Sequence, residues 1–249
     1  MEPDTGPTPP TSDEARANTM PMTTIARIAS GYRSRRPAGI RGARTWLAGA
    51  VVAAACLGGA AAAPAAAALE PTPAQTEGPY YPRTLPADHD ADLTRIEGRA
   101  KPAQGTRLLL AGRVLGRNGE PVVGARVELW QCDVYGRYHH VGDDASPRDD
   151  DFQGYGAVVT DRSGAFAFRT IRPVAYAGRP PHLHIRIGTG TGTSPRLTTQ
   201  LYVLGDDVSR DPVLRGSRQG TFERLALRVM PATGDEPGAL RAAFDFVLP

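Results

Sequence analysis

Two histidines separated by a single residue are the strongest chemical signal in this chain. His182 and His184 open the apolar run His182–Ile187, and the chain has five histidines in 249 residues. In a β-strand, residues i and i+2 point to the same face, so the pair would aim two imidazoles at one point. Such a pair is a common way to present nitrogens to a metal. Arg179 lies just upstream, where the chain enters the strand.

Two tyrosines could complete such a site. Tyr138 follows the strand candidate that contains Trp130, and Tyr176 follows the candidate Ala165–Ile171. Loops that follow strands gather at one rim of a β-sandwich. A tyrosinate oxygen is a hard ligand that suits Fe(III), whereas a zinc site more often combines His with Cys or a carboxylate. On their own, the two histidines are equally consistent with a structural role and with a metal site.

Short apolar runs between turn signals predict an all-β fold. The chain holds 28 Gly and 23 Pro, which favours many turns over a helical bundle. We predict an antiparallel β-sandwich of about eight short strands, preceded by an extended arm that begins at Leu69. The strand candidates are Arg107–Val114, Ala125–Gln131, Ala157–Thr160, Ala165–Ile171, His182–Ile187, Thr198–Leu204, Arg224–Val229 and Phe244–Leu248.

Residues 1–68 have the composition of a leader with a signal peptide. A basic segment precedes an apolar, alanine-rich stretch over residues 46–63, and small residues follow. This order predicts export to the periplasm or the outside, with residues 69–249 forming one domain. Arg35-Arg36 is consistent with the twin-arginine route. A retained membrane anchor and lipidation at Cys56 are the alternatives.

Charge and cysteine content narrow the function classes. Much of the net charge of +3 comes from arginines of the leader, and no basic patch with interleaved aromatic residues follows. We therefore predict no nucleic-acid partner. Cys132 is the single cysteine after the leader, so a disulfide within one mature chain is excluded and a packed core must supply stability.

Six segments of the chain occur in the same order in a known enzyme family. They are Thr72–Tyr80, Val127–Gln131 through Tyr138, Phe152–Gly154 through Asp161, Phe166–Pro173, Pro181–His184 and Thr199–Tyr202. On these segments, residues 72–207 resemble the intradiol ring-cleavage dioxygenases of the protocatechuate 3,4-dioxygenase type. The resemblance implies a non-haem Fe(III) enzyme. It would cleave a catechol-type ring between its two hydroxylated carbons with O2 and give a cis,cis-muconate-type product.

The resemblance also implies roles for individual residues. The iron ligands fall on Tyr138, Tyr176, His182 and His184. Tyr176 would also take a substrate proton, Arg179 would stabilise developing negative charge, and Gln200 would orient Arg179. The segment that lines the substrate pocket matches Thr76, Gly78, Pro79 and Tyr80. No role follows for Asp206 or Asp207.

The connection between Tyr176 and His182 departs from the family pattern. Five residues separate them, and the better-known members have a longer insertion there. The mouth of the pocket should therefore differ, which leaves the identity of the catechol open. A carboxylated catechol would require a cation, which Arg172, Arg137 or Arg83 could supply. Family members form dimers or larger rings, and the sequence is consistent with a homo-oligomer.

Two other functions are consistent with these patterns. The segment from Gly119 to Leu129 also resembles transthyretin-like modules, which bind or space without catalysis. A hydrolytic zinc site on the same scaffold is the second alternative. A ferric tyrosinate site would make the purified protein reddish, which distinguishes it from both.

Overall fold

The strands of this protein form two sheets. The structure is a computed structural model that describes residues 67–143, 145–190, 194–233 and 236–249. In these ranges the strands are β1 (Arg107–Leu115), β2 (Ala125–Trp130), β3 (Tyr155–Val159), β4 (Ala165–Ile171), β5 (His182–Thr189), β6 (Leu197–Val203), β7 (Ala226–Leu227), β8 (Met230–Pro231), β9 (Leu240–Ala243) and β10 (Phe246–Val247). Two short helices, α1 (Pro212–Arg215) and α2 (Thr221–Leu225), lie between β6 and β7.

The sheets face each other across an apolar core, which confirms the all-β sandwich. In one sheet, β1 pairs antiparallel with β4 and parallel with β9 and β10, and β8 joins β9. The other sheet has the order β3-β2-β5-β6-β7, antiparallel except for the short β6–β7 pair. Leu110 and Phe168 of the first sheet and Leu129 and Ile185 of the second belong to one buried cluster. The parallel pairs differ from the predicted antiparallel arrangement.

The C-terminal strands differ most from the sequence prediction. Arg224–Val229 was expected to be a strand, but α2 occupies Thr221–Leu225 and only Ala226–Leu227 pairs with β6. The apolar alternation predicted a single strand because Leu225 and Leu227 are both buried. Leu225 is buried as part of a helical turn, and Leu227 is buried as part of a strand. The predicted leader, its signal peptide, Arg35-Arg36 and Cys56 lie outside the described residues. In the described residues, no helix is long and apolar enough to cross a membrane.

The predicted arm crosses both sheets before β1 begins. The Thr72 amide donates to the Val247 carbonyl of β10 at 2.9 Å, and the Gln75 amide donates to the Thr198 carbonyl of β6 at 2.8 Å. Further along, the Leu93 amide donates to the Arg169 carbonyl of β4 at 2.8 Å. These bonds fix residues 76–81 beside the strand that carries the two histidines.

Truncation of Leu129 tests the core between the sheets. Leu129 is fully buried and pairs with Gly156 of β3 and Ile185 of β5. Leu129→Ala should lower the free energy of unfolding by about 2–5 kcal/mol, because a cavity remains where the side chain packed. Urea unfolding measures this loss, with Val123→Ala as a control because Val123 is 58% exposed. A loss below about 1 kcal/mol would contradict this packing.

Candidate metal centre

Strand β5 holds its two histidines between two neighbouring strands. His184 pairs with Trp130 of β2 and with Gln200 of β6, and His182 pairs with Tyr202 of β6. The imidazole centroids are 4.9 Å apart, so the rings lie side by side as strand alternation predicts. Both residues are at least 98% buried. The Trp130 indole stacks on the His184 ring at 4.8 Å, which limits its rotation.

Two buried aspartates shape the loop that carries Tyr138. The Oδ1 atom of Asp133 accepts the amides of Tyr135 and Arg137 at 2.8 and 3.0 Å. The Oδ2 atom of Asp143 accepts the amide of Tyr138 itself at 2.9 Å. Because these carboxylates replace backbone partners, the loop keeps one conformation without regular secondary structure. Neither aspartate was recognised from the sequence as part of this arrangement.

A tight turn accounts for the short connection between Tyr176 and His182. The Arg179 amide donates to the Tyr176 carbonyl at 2.8 Å, and the Tyr176 amide donates to the Arg179 carbonyl at 3.2 Å. The central residues Ala177 and Gly178 have φ of 47° and 78°, the conformation of a type I′ hairpin turn. The turn places the predicted ligand Tyr176 directly opposite Arg179.

Four aromatic side chains that the sequence predicts as ligands come together at this rim. The ring centroids of Tyr138 and Tyr176 are 5.0 Å apart, those of Tyr176 and His182 are 5.5 Å apart, and those of Tyr138 and His184 are 6.0 Å apart. With the His182–His184 contact, these pairs close a ring of four side chains. The loops and strands that carry them span residues 133–184, so the grouping is a product of the fold.

Burial sets the protonation of these groups. It lowers the pKa of His182 to about 4 and that of His184 well below its usual value, with Arg179 acting in the same direction. Both histidines are therefore neutral at pH 7, the form that binds metals. Burial also raises the pKa of Tyr138 well above its usual value and raises that of Tyr176, which Arg179 partly opposes. A bound cation would be needed to convert these tyrosines to tyrosinates.

The unsatisfied atoms fit a metal held by this set. The Tyr138 Oη atom and the His184 Nδ1 atom are buried without a hydrogen-bond partner. His182 Nδ1 lies 2.6 Å from the Pro180 carbonyl, so it carries the proton and leaves the lone pair on Nε2, where Arg179 Nη1 lies 3.1 Å away. Within the described ranges, no group of three or more His, Cys, Asp or Glu could hold a metal. A metal bound here would therefore require the tyrosine oxygens.

The Arg179 guanidinium lies at the edge of this set. Its Nη1 atom lies 3.1 Å from His182 Nε2, and its Nη2 atom donates to Gln200 Oε1 at 2.8 Å. The predicted contact between Arg179 and Gln200 is therefore present. The structure adds Asp211, which no sequence pattern indicated, with Oδ2 2.9 Å from Arg179 Nε.

The predicted pocket segment reaches the site through three of its four residues. The Thr76 carbonyl accepts the Gln200 side-chain amide at 2.9 Å. A Cβ atom on Gly78 would lie 3.4 Å from Cε1 of His184. The Tyr80 ring stacks on Tyr138 at 4.7 Å. Pro79 is exposed between them.

A cavity opens beside Tyr80 and Tyr138. Its volume is about 450 Å³, and Trp130, Phe152 and Tyr155 also line it. His182, His184 and Arg179 do not line it. Of the four predicted ligands, only Tyr138 lines the cavity, and the Tyr80 ring stacks on Tyr138.

Comparison with known proteins identifies the family of this arrangement. A family model described as a dioxygenase matches residues 76–249. The protocatechuate 3,4-dioxygenase beta chain of Burkholderia cepacia is 38% identical over 172 residues, which cover 66% of this chain and 72% of that one. This chain belongs to the intradiol ring-cleavage dioxygenase family. The finding favours an enzyme over the non-catalytic sandwich.

Other relatives of this dioxygenase extend the comparison. A catechol 1,2-dioxygenase of Acinetobacter baylyi is 28% identical over 167 residues, and the chain spans 51% of its length. The dioxygenase domain of a dioxygenase carbohydrate-binding protein fusion from Streptomyces sp. SirexAA-E is 31% identical with a TM-score of 0.53. That match covers 72% of this chain and 98% of the Streptomyces domain.

Two arginines considered for a substrate carboxylate already have acidic partners in this dioxygenase. Arg172 Nη2 contacts both carboxylate oxygens of Asp206 at 3.0 and 3.1 Å. Arg137 lies 3.7 Å from Asp143, the residue that also holds the Tyr138 amide. Asp206 thus has a structural contact, and a substrate carboxylate would have to compete for either arginine.

Proposed function

We propose that this dioxygenase uses non-haem Fe(III) to open a catechol-type ring between its hydroxylated carbons with O2, giving a cis,cis-muconate-type product. The convergence of two buried neutral histidines with two tyrosines carries this proposal. Tyrosinate oxygens favour a hard trivalent ion, and family membership points to the same chemistry.

Tyr138, Tyr176, His182 and His184 would hold the iron. When bound, it supplies a Lewis acid that templates the catechol and makes the ring reactive toward O2. Trp130 stacked on His184 and Tyr80 stacked on Tyr138 would keep two of these rings in place. The carbonyl of Pro180 would fix the His182 tautomer, a common way of orienting a metal-binding imidazole.

The protein would handle protons and charge through Tyr176 and Arg179. Tyr176 is only partly buried, whereas Tyr138 is 2% exposed, so the Tyr176 Oη atom is the better placed to accept a proton from a catechol hydroxyl. The Arg179 side chain is 12% exposed, and its head group is held by side-chain partners. Its fixed positive charge would stabilise the negative charge that develops on the opened ring.

Gly78 brings the predicted pocket segment up to the His184 ring. Its φ is 76°, a conformation that costs an alanine about 1 kcal/mol, and an added Cβ would contact His184 Cε1 at 3.4 Å. We expect Gly78→Ala to lower kcat/KM for catechol about tenfold, with iron content retained. Gly98→Ala is the control, since it has similar strain and open space around it. Equal effects of the two substitutions on kcat/KM would argue against a pocket at Gly78.

Oxygen uptake on a panel of catechol, protocatechuate and hydroxyquinol tests the proposed reaction. We expect uptake with at least one of them, coupled to a muconate-type product absorbing in the ultraviolet. Absence of uptake by the iron-loaded protein on the whole panel would contradict the proposal. A zinc hydrolase would give no oxygen uptake. Its hydrolytic activity would survive Tyr138→Phe, because that change removes only the tyrosine hydroxyl.

We also propose that the chain is exported with the iron site already built. The support is the order of basic, apolar and small residues before residue 69, with Arg35-Arg36 ahead of the apolar stretch. Changing Arg35-Arg36 to Lys-Lys should then retain the protein inside the cell, as cell fractionation would show. Undiminished export of that variant would contradict the twin-arginine route.

A further inference from the structure

We propose that Asp211 is a positioning residue of the active site, which holds the Arg179 guanidinium in the orientation that the reaction requires. This inference rests on the proposed function, since it assigns Arg179 a role in ring cleavage. Asp211 lies outside every segment that carried the family resemblance, and it is the N-cap of the short helix α1 that follows β6.

Asp211 is locked from both sides. Its Oδ1 atom accepts the amides of Val213 and Leu214 at 2.8 and 2.9 Å, which caps the first turn of α1. Its Oδ2 atom lies 2.9 Å from both the Nε and the Nη2 atoms of Arg179. The carboxylate is 0% exposed, so it can neither rotate nor exchange its partners for water. It therefore defines where the guanidinium lies.

The remaining contacts of Arg179 leave one end of the guanidinium pointing toward the predicted ligands. Nη2 is shared among Asp211, Gln200 and Tyr202, the last at 3.3 Å. Nη1 lies 3.1 Å from His182 Nε2. Because a guanidinium is planar, fixing Nε and Nη2 also fixes the direction of Nη1.

Charge compensation is the second contribution of Asp211. The Arg179 side chain is 12% exposed, and a buried cation without a partner is strongly destabilising. Asp211 thus allows a permanent positive charge to lie beside the histidines, where the reaction can use it.

Asp211→Asn is the test variant, because asparagine is as good an N-cap and has nearly the same shape. In the iron-loaded protein we expect kcat with the best catechol of the panel to fall about 10- to 100-fold, while iron content and the visible absorption band stay. Asp92→Asn is the matched control. Asp92 is also a buried aspartate, and it lies 3.6 Å from Arg169. It is located where the arm contacts β4, in the sheet that does not carry the histidines.

The double variant Arg179→Gln with Asp211→Asn separates positioning from general stability. If Asp211 acts through Arg179, the double variant has the same kcat as Arg179→Gln alone, within about twofold. It also melts at a higher temperature than Arg179→Gln alone, because that single change leaves a buried carboxylate unpaired. A purely structural role for Asp211 would make the two losses of kcat multiply.

The outcomes are distinct. A wild-type protein that shows no oxygen uptake overturns the proposed function itself. If the wild type is active, two results overturn the role of Asp211. One is a kcat of Asp211→Asn within twofold of that of the Asp92→Asn control. The other is a double variant in which the two losses of kcat multiply. If Asp211→Asn does not fold alone, the melting temperature of Arg179→Gln is compared with that of the double variant. A double variant that melts no higher than Arg179→Gln overturns the role of Asp211.

Discussion

Replacing Tyr138 with Phe should lower ring cleavage at least a hundredfold. The Tyr138 Oη atom is buried without a partner beside Tyr176 and His184, so the change deletes one proposed ligand while keeping the ring that stacks on Tyr80. Loss of a residue that only supports a metal ligand already costs about 10–100-fold, and loss of the ligand itself should cost more. The tyrosinate-to-iron absorption should weaken in the same variant. Oxygen uptake and the visible spectrum per bound iron measure the two effects.

Tyr135→Phe is the matched control for that change. Tyr135 lies in the same loop but is 43% exposed, and its hydroxyl donates to Gln104 at 3.1 Å, away from the four rings. We expect it to keep activity and colour. A Tyr138→Phe protein as active and as coloured as Tyr135→Phe would remove Tyr138 from the site.

Arg179→Gln should lower kcat about 100- to 1,000-fold, with a smaller change in KM. The substitution keeps a polar side chain but removes the fixed charge that faces the predicted ligands, and one lost charge-stabilising donor typically costs this much. Arg179→Lys should recover only part of the loss, because an ammonium group cannot meet Asp211, Gln200 and His182 in one plane. Steady-state kinetics on the preferred catechol provide both parameters.

Arg113→Gln controls for the loss of a partly buried, paired arginine. Arg113 lies on β1 and contacts Asp245 at 2.7 Å, in the sheet that does not carry the histidines. Its replacement should lower stability without changing kcat. If Arg179→Gln and Arg113→Gln had equal kcat values, Arg179 would have no direct part in the reaction.

The features that the sequence predicted well depend on local geometry. The alternation of His182 and His184 requires only that residues 182–187 form a strand, and they do, in β5. The arm before β1 followed from a run without periodicity. The short connection from Tyr176 to His182 forms a type I′ turn at Ala177-Gly178, and the prediction that it differs from the connection in other family members stays a prediction.

The features that it missed depend on contacts between distant segments. Asp211 meets Arg179 across 32 positions of the chain, through a helix of four residues that carries no periodic signal. The pairing of Arg172 with Asp206 is equally non-local. The parallel pairs of β1 with β9 and β10 arise because the chain returns to the first sheet after β7, which no local pattern encodes.

The visible spectrum of the iron-loaded protein, recorded before and after catechol is added without O2, is the decisive measurement for the proposed ferric site. A ferric site with two tyrosinates predicts a reddish protein whose charge-transfer absorption shifts when catechol binds. A colourless protein that takes up zinc instead of iron, or an iron-loaded protein whose spectrum does not change with catechol, would contradict a ferric site with two tyrosinates.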